Sequence, residues 1–153
     1  MSGLVWLASY PKSGNTWLRI LLESLARGGA AIDINWEQEG RPGSVAPRAE
    51  FDNRLGVDSS DLLADEIEAA RPRLYEAMAA DADAPVPLKV HDAWTHTTAG
   101  EPLFPPRVTA GAVYIVRDPR DVAVSLAHHI GRDLDHAIAM MADPGARFGR
   151  QDR

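Results

Sequence analysis

Three short, almost wholly apolar runs, Leu4 to Ala8, Val86 to Val90 and Ala112 to Val116, are separated by stretches whose apolar residues recur at helical spacing. A run with no polar alternate suits a strand buried on both faces, and such strands alternating with helices predict a parallel sheet covered on both sides. Sheets of this kind bind their ligands beyond the carboxyl ends of the strands. Lys12, Lys89, His91 and Arg117 all lie at or just past the end of one of the three runs. Of the 16 lysines and arginines only Lys12 and Lys89 are lysine, so arginine serves wherever a generic surface cation is enough.

The first run leads directly into Tyr10-Pro11-Lys12-Ser13-Gly14-Asn15, a turn-rich stretch. From Thr16 the residues Leu18, Leu21, Leu22 and Leu25 form one apolar stripe, and Gly28-Gly29 ends the predicted helix. Ala30 to Val57 has scattered Gly and Pro, an isolated Trp36 and no period, and is expected to be irregular. Asp58 to Asp61 offers caps for a helix with Leu62, Leu63, Ile67 and Ala70 on one face. Pro72 either kinks that helix or opens a second one that buries Leu74, Tyr75 and Met78. Ala93 to Thr109 reads as loop, with Pro102, Pro105 and Pro106 opposing regular structure. Asp118 caps a helix that starts at Pro119 and buries Val122, Leu126 and Ile130, and a last helix carries Leu134, Ile138 and Met141.

A chain of 153 residues allows one domain, and at that size it buries roughly 70% of its unfolded surface. The absence of cysteine excludes disulfides, thiolate metal sites and cysteine nucleophiles, and leaves the redox compartment unreadable. The apolar runs are far too short for a membrane span, and Met1-Ser2-Gly3 does not begin a signal peptide, so a cytoplasmic location is expected with no membrane partner. A net charge of −6 argues against nucleic acid as a partner. An anionic ligand must therefore be met by a local cluster of donors.

The loop Lys12 to Thr16 is such a cluster. It joins a strand to a helix N-terminus, where free N–H groups and the helix dipole favour an anion. Gly14 allows close backbone approach, Ser13 and Thr16 add hydroxyls, and Lys12 adds a point charge. The order differs from the Walker A loop, in which the lysine follows the second glycine. Taken alone, the same residues also suit a tight strand-to-helix turn with a surface lysine.

Three segments together decide between these readings. YPKSGNTWL (Tyr10 to Leu18) resembles the 5′-phosphosulfate loop of sulfotransferases that use 3′-phosphoadenosine 5′-phosphosulfate (PAPS). YIVRDPRDVAVSLAH (Tyr114 to His128) resembles their 3′-phosphate motif, and LKVHDAW (Leu88 to Trp94) falls where that family has a lysine and a catalytic histidine. The resemblance implies that Lys12 meets the 5′-phosphate and bridging oxygen, that Ser13, Gly14, Asn15 and Thr16 cradle that phosphate, and that Trp17 lies against the adenine. It also implies that Arg117 and Ser125 hold the 3′-phosphate. Asn15 stands where eukaryotic cytosolic members commonly have threonine, and is expected to alter the donor contacts without abolishing the site.

His91 is the expected general base, taking the proton of an acceptor hydroxyl or amine, a task suited to a group that titrates near neutrality. Strand alternation puts Lys89 on the same side as His91, so Lys89 and Lys12 are both expected to neutralise charge on the sulfuryl group and leaving phosphate. His128, His129 and His136 lack metal-ligand spacing and read as helix surface, and no metal is expected. Trp94, His96 and Phe104 either line the acceptor entrance or pack the loop.

The resemblance implies an incomplete α/β, P-loop-like, three-layer parallel-sheet domain with helices on both faces. Residues 1–153 read as the N-terminal part of a single sulfotransferase-like domain, with 132–153 as a partly frayed end, since nothing after Gly131 matches the family's later Arg-Lys-Gly segment. The expected function is binding of PAPS and transfer of its sulfuryl group to a small-molecule or glycan acceptor, leaving adenosine 3′,5′-bisphosphate. The missing elements are expected to impair activity and to leave a sheet edge open to self-association. A noncatalytic nucleotide-binding or interaction module and a small P-loop-type kinase are the alternatives.

Overall fold

The computed structural model describes residues 3–33 and 48–146. In chain order the elements are β1 (Leu4–Ser9), α1 (Asn15–Ala26), α2 (Arg48–Leu55), α3 (Ala64–Ala80), β2 (Val86–Val90), β3 (Thr109–Ile115), α4 (Pro119–Ile130) and α5 (Leu134–Ala142). The three strands form one all-parallel sheet in the order β2-β1-β3. Leu4 pairs with Val86 and Ala8 with Val90 on one side, and Val5 pairs with Gly111 and Ser9 with Ile115 on the other. The carboxyl ends of all three strands therefore lie at one end of the sheet. The α/β parallel architecture read from the sequence is the observed one.

The main core lies on one face of that sheet. Leu4 and Trp6 of β1 and Leu88 and Val90 of β2 pack with Leu74, Tyr75 and Met78 of α3 and Phe51 of α2. Each such side chain contributes about 1.5–3 kcal/mol on full burial. Trp6 is the centre of an aromatic group, with its ring 5.0 Å from Tyr75 and 4.8 Å from Phe104. Its Nε1–H donates to Thr109 Oγ1 at 2.9 Å, which satisfies a buried donor and ties β1 to the start of β3. A smaller cluster joins Leu126 and Ala127 of α4 to Ala137 of α5.

Several elements depart from the sequence expectation for identifiable reasons. Helix α2 falls inside the stretch expected to be irregular, because its single buried anchor, Phe51, gives no periodic signal. Trp36 and the arginine-bearing tail lie outside the described residues. Helix α3 is continuous through Pro72, which is buried within it, so the proline neither ends the helix nor starts a second. Leu62 and Leu63 precede α3, and the Leu63 N–H is held by the Glu66 carboxylate at 2.8 Å. Strand β3 begins at Thr109, earlier than the apolar run, because pairing with Leu4 and a register shift before Val5 recruit its polar start.

Three apolar surfaces are open among the described residues. Leu21, Leu22 and Leu25 of α1, expected to face the core, are exposed, and the buried residues of that helix are Asn15 and Glu23. Strand β3 is an edge of the sheet, and its Val113 and Tyr114 are exposed. Leu134 and Ile138 of α5 are exposed as well, and Ala137 is that helix's buried contact. Among the described residues no helix is long and apolar enough to cross a membrane.

Candidate functional site

The β1–α1 connection turns tightly after Ser9. The Ser13 N–H donates to the Tyr10 carbonyl at 3.2 Å. Lys12 has φ 68° and Gly14 φ 106°, while Ser13 between them keeps a negative φ. Backbone whose φ alternates in sign in this way, leading into a helix start, is of the kind that forms an anion-receiving concavity. A Cβ at residue 14 would meet nothing within 4 Å, so the backbone angle and not crowding calls for glycine there. No side chain caps α1, so its first N–H groups face the same concavity with the positive end of the helix dipole. Ser13 is buried, whereas Thr16 and Trp17 stand exposed on the first turn.

Asn15 turns away from that concavity. Its Nδ2 donates to the Leu7 carbonyl at 2.7 Å and to Ser9 Oγ at 3.1 Å, so both amide hydrogens are engaged within the fold. Its Oδ1 is buried without a partner among the described residues. The expected phosphate contact is thus left to its backbone N–H.

His91 follows β2 directly. Its Nδ1 lies 2.7 Å from the Ser9 carbonyl oxygen and 3.3 Å from Ser9 Oγ. A carbonyl only accepts, so Nδ1 carries the hydrogen and the neutral ring has its lone pair on Nε2. Burial pushes the imidazole below its ordinary pKa and Lys89 adds to this, while the Ser9 carbonyl and Asp92 oppose it. Lys89 is half-buried in register with Leu7. It is close enough to act on His91 electrostatically.

The end of β3 closes on the same loop. Arg117 Nη1 donates to the Lys12 carbonyl at 3.1 Å, across 105 residues of sequence. Ser125 lies half-buried on α4, whose N-terminus is capped by Asp118 accepting from the Arg120 N–H at 2.9 Å. Beside His91 opens a cleft of about 1100 Å³ lined by Tyr10, Trp94, Phe104 and Tyr114, among others. Neither Lys12 nor Lys89 lines it. Trp94 stacks on Phe104 at 5.3 Å, so these two residues both pack the loop and wall the cleft.

Residues 3–139 match the family model of the sulfotransferase domain. The chain belongs to the sulfotransferase domain family. No curated protein and no solved structure matches it. The match spans all three motifs that carry the resemblance, from Tyr10 to His128.

Around the candidate site of this sulfotransferase-family chain the structure adds residues that sequence reasoning passed over. Arg71 of α3 forms a bidentate pair with Asp92, both bonds 2.8 Å, and its Nε donates to the Tyr75 hydroxyl at 2.8 Å. Burial would lower the Arg71 pKa, but the bonds to Asp92 outweigh it and hold the guanidinium above its usual range. Burial likewise opposes ionisation of Asp92, yet Arg71 keeps that carboxyl below the usual carboxylate range. Tyr75 is pushed up to about 12 by burial. Asp92 could have been noticed as the neighbour of His91. Arg71 had no signal, since one arginine on an amphipathic helix looks like any other.

Proposed function

We propose that the chain binds PAPS at the β1–α1 loop and transfers its sulfuryl group to an acceptor hydroxyl or amine presented in the adjoining cleft. The observation that carries this reading is convergence: the ends of β2 and β3 each hydrogen-bond to the β1–α1 segment, His91 to the Ser9 carbonyl and Arg117 to that of Lys12. Sulfotransferases of this family generally use PAPS. The uncapped helix start and the left-handed residues at 12 and 14 suit its 5′-phosphate.

The donor supplies an activated sulfuryl group: an acceptor oxygen or nitrogen forms the new bond to sulfur as the bond to the bridging phosphate oxygen breaks. His91 Nε2 takes the proton released by the acceptor. The Lys12 ammonium and the loop N–H groups meet the negative charge that grows on the departing phosphate oxygen, with Lys89 adding positive potential from the neighbouring strand. Arg117, planar and always charged, reads the 3′-phosphate together with Ser125. Ser13, Gly14 and the backbone of Asn15 and Thr16 line the 5′ side, and the exposed Trp17 offers a face for adenine.

Among the described residues the cleft lining contains five aromatic side chains and neither lysine nor arginine. That favours an uncharged, ring-bearing small molecule over an anionic glycan. The outer edge of β3, free of charge and proline, supports pairing with β3 of a second copy.

Calorimetry with adenosine 3′,5′-bisphosphate against AMP tests the binding half. A charged hydrogen bond is worth about 1.5–3 kcal/mol, so the bisphosphate is expected to bind at least about tenfold more tightly. Arg117→Ala should remove most of that margin, since its bond to Lys12 affects both ligands alike. Equal affinity for the two ligands refutes the 3′-phosphate role. Transfer from labelled PAPS to a panel of phenols and alcohols tests the chemistry, and tight bisphosphate binding with no transfer to any acceptor supports the noncatalytic module instead.

A further inference from the structure

The donor loop and the imidazole are joined by one set of hydrogen bonds, buried at Asn15 and partly buried at His91. Asn15 is the first residue of α1 and follows Gly14 directly; Ser9 is the last residue of β1. Each is 4% exposed. Asn15 spends one amide hydrogen on the Leu7 carbonyl and the other on Ser9 Oγ, and the Ser9 carbonyl takes the Nδ1 hydrogen of His91. Ser9 thus meets Asn15 through its hydroxyl and His91 through its carbonyl at 2.7 Å, with the same hydroxyl 3.3 Å from Nδ1. We propose that Asn15 and Ser9 are positioning residues that lock His91 in the Nδ1–H form and hold its Nε2 lone pair at a fixed place relative to the donor loop.

The chemistry of the amide supports a positioning role. Its Oδ1 is buried without a partner among the described residues, a circumstance that stabilises nothing. What the side chain contributes is two N–H donors from one rigid plane. A threonine at the same place has a single hydroxyl hydrogen and cannot serve both Leu7 and Ser9. An aspartate has the same shape but presents two acceptors to the Leu7 carbonyl and the Ser9 hydroxyl, inverting the interaction with the carbonyl. The arrangement also ties the two halves of the site mechanically, because Asn15 contributes its backbone N–H to the phosphate concavity and its side chain to the strand that holds the base.

The inference rests on His91 acting as general base, and its first readout does not depend on activity. Long-range nitrogen–proton NMR of the full chain at about pH 8, above the ordinary imidazole pKa of about 6.5, reports which ring nitrogen is protonated. The wild-type His91 is expected almost wholly in the Nδ1–H form. Asn15→Ala and Asn15→Asp should shift it toward a mixture of the two tautomers, and Asn15→Thr, which keeps one donor, should fall between. Misplacing a reacting group by a fraction of an ångström to an ångström costs about ten- to a hundredfold in rate. Turnover of these variants should fall by that factor in the same order, while Asn15→Thr changes affinity for adenosine 3′,5′-bisphosphate less than about threefold, as expected when binding contacts persist.

A wild-type His91 in the Nε2–H form overturns the proposal without any variant being made. So does an Asn15→Thr protein that melts like wild type and keeps both the wild-type tautomer and the wild-type rate. If the tautomer shifts as expected but no form of the chain transfers sulfuryl groups, the positioning network stands and the general-base reaction assigned to it falls.

Discussion

The Arg71–Asp92 pair offers the most quantitative test of how the end of β2 is held. The two partners are unequally buried: the Arg71 side chain is 14% exposed and that of Asp92 37%. Removing the carboxylate leaves a mostly buried guanidinium with Tyr75 as its one partner among the described residues, whereas removing the guanidinium leaves a carboxylate that water can reach. Breaking a fully buried pair costs about 3–5 kcal/mol. With partial access for water, Asp92→Ala is expected to cost about 2–4 kcal/mol and Arg71→Met about 1–2 kcal/mol. For a domain of this size the larger loss corresponds to a fall in Tm of roughly 5–15 °C. The double variant should be more stable than the sum of the single losses implies, by about 1–2 kcal/mol, because it leaves no stranded charge.

Urea denaturation followed by circular dichroism measures all four proteins. The pH dependence has a defined sign. Arg71 holds the folded Asp92 carboxyl below its unfolded value, so this stabilisation is complete above about pH 4 and is lost as the pH falls through the lower, folded pKa. Strict additivity of the two substitutions, or Arg71→Met costing more than Asp92→Ala, would refute the argument from unequal burial.

His91→Ala is expected to reduce turnover by about two to four decades with little change in bisphosphate affinity, checked by steady-state kinetics beside calorimetry. Because burial lowers the His91 pKa, the wild-type rate should be flat above neutrality and fall only on the acid side of the ordinary imidazole range. Lys12→Ala should weaken both binding and turnover, since Lys12 meets charge in the ground and transition states, and an effect on one alone counts against its assigned role. Leu74→Ala, at a fully buried core position, should cost about 2–5 kcal/mol in the same denaturation assay. Sedimentation velocity should detect association of the wild-type chain that Val113→Lys, a charge on the open β3 edge, suppresses; a monomer at all concentrations rules out edge pairing.

The parts of the fold legible in the sequence were those with a strong local period or a sharp boundary. β2 matches its apolar run residue for residue, and α4 is bracketed by Asp118-Pro119 and a left-handed Gly131 at φ 65°. Where one anchor does the packing, as Phe51 does for α2, no pattern exists to be read. The α1 stripe was visible as a period, but its burial depends on neighbours, and the described residues supply none for Leu25. Around the candidate site, the placement of the loop, His91 and Arg117 at one end of the sheet was legible, because each follows directly on an apolar run. Ser9, Arg71 and the inward turn of Asn15 were not, because each acts through a partner far away in sequence, and a single sequence does not encode which distant atoms meet.

The left-handed backbone at Lys12 has an evolutionary consequence. A residue with a Cβ held at φ 68° carries a strain of about 1–2 kcal/mol that glycine would not. Glycine also loses about 0.5–1 kcal/mol more in unfolded-chain freedom, so Lys12→Gly should still leave the protein level or slightly more stable. A search for stabilising substitutions scored on folding alone would therefore tend to discard the one cation in the phosphate loop. Lysine persists at such a position only where selection acts on the ligand, and a chain drifting free of that selection should exchange Lys12 for glycine or asparagine before it loses any residue of the Trp6 core.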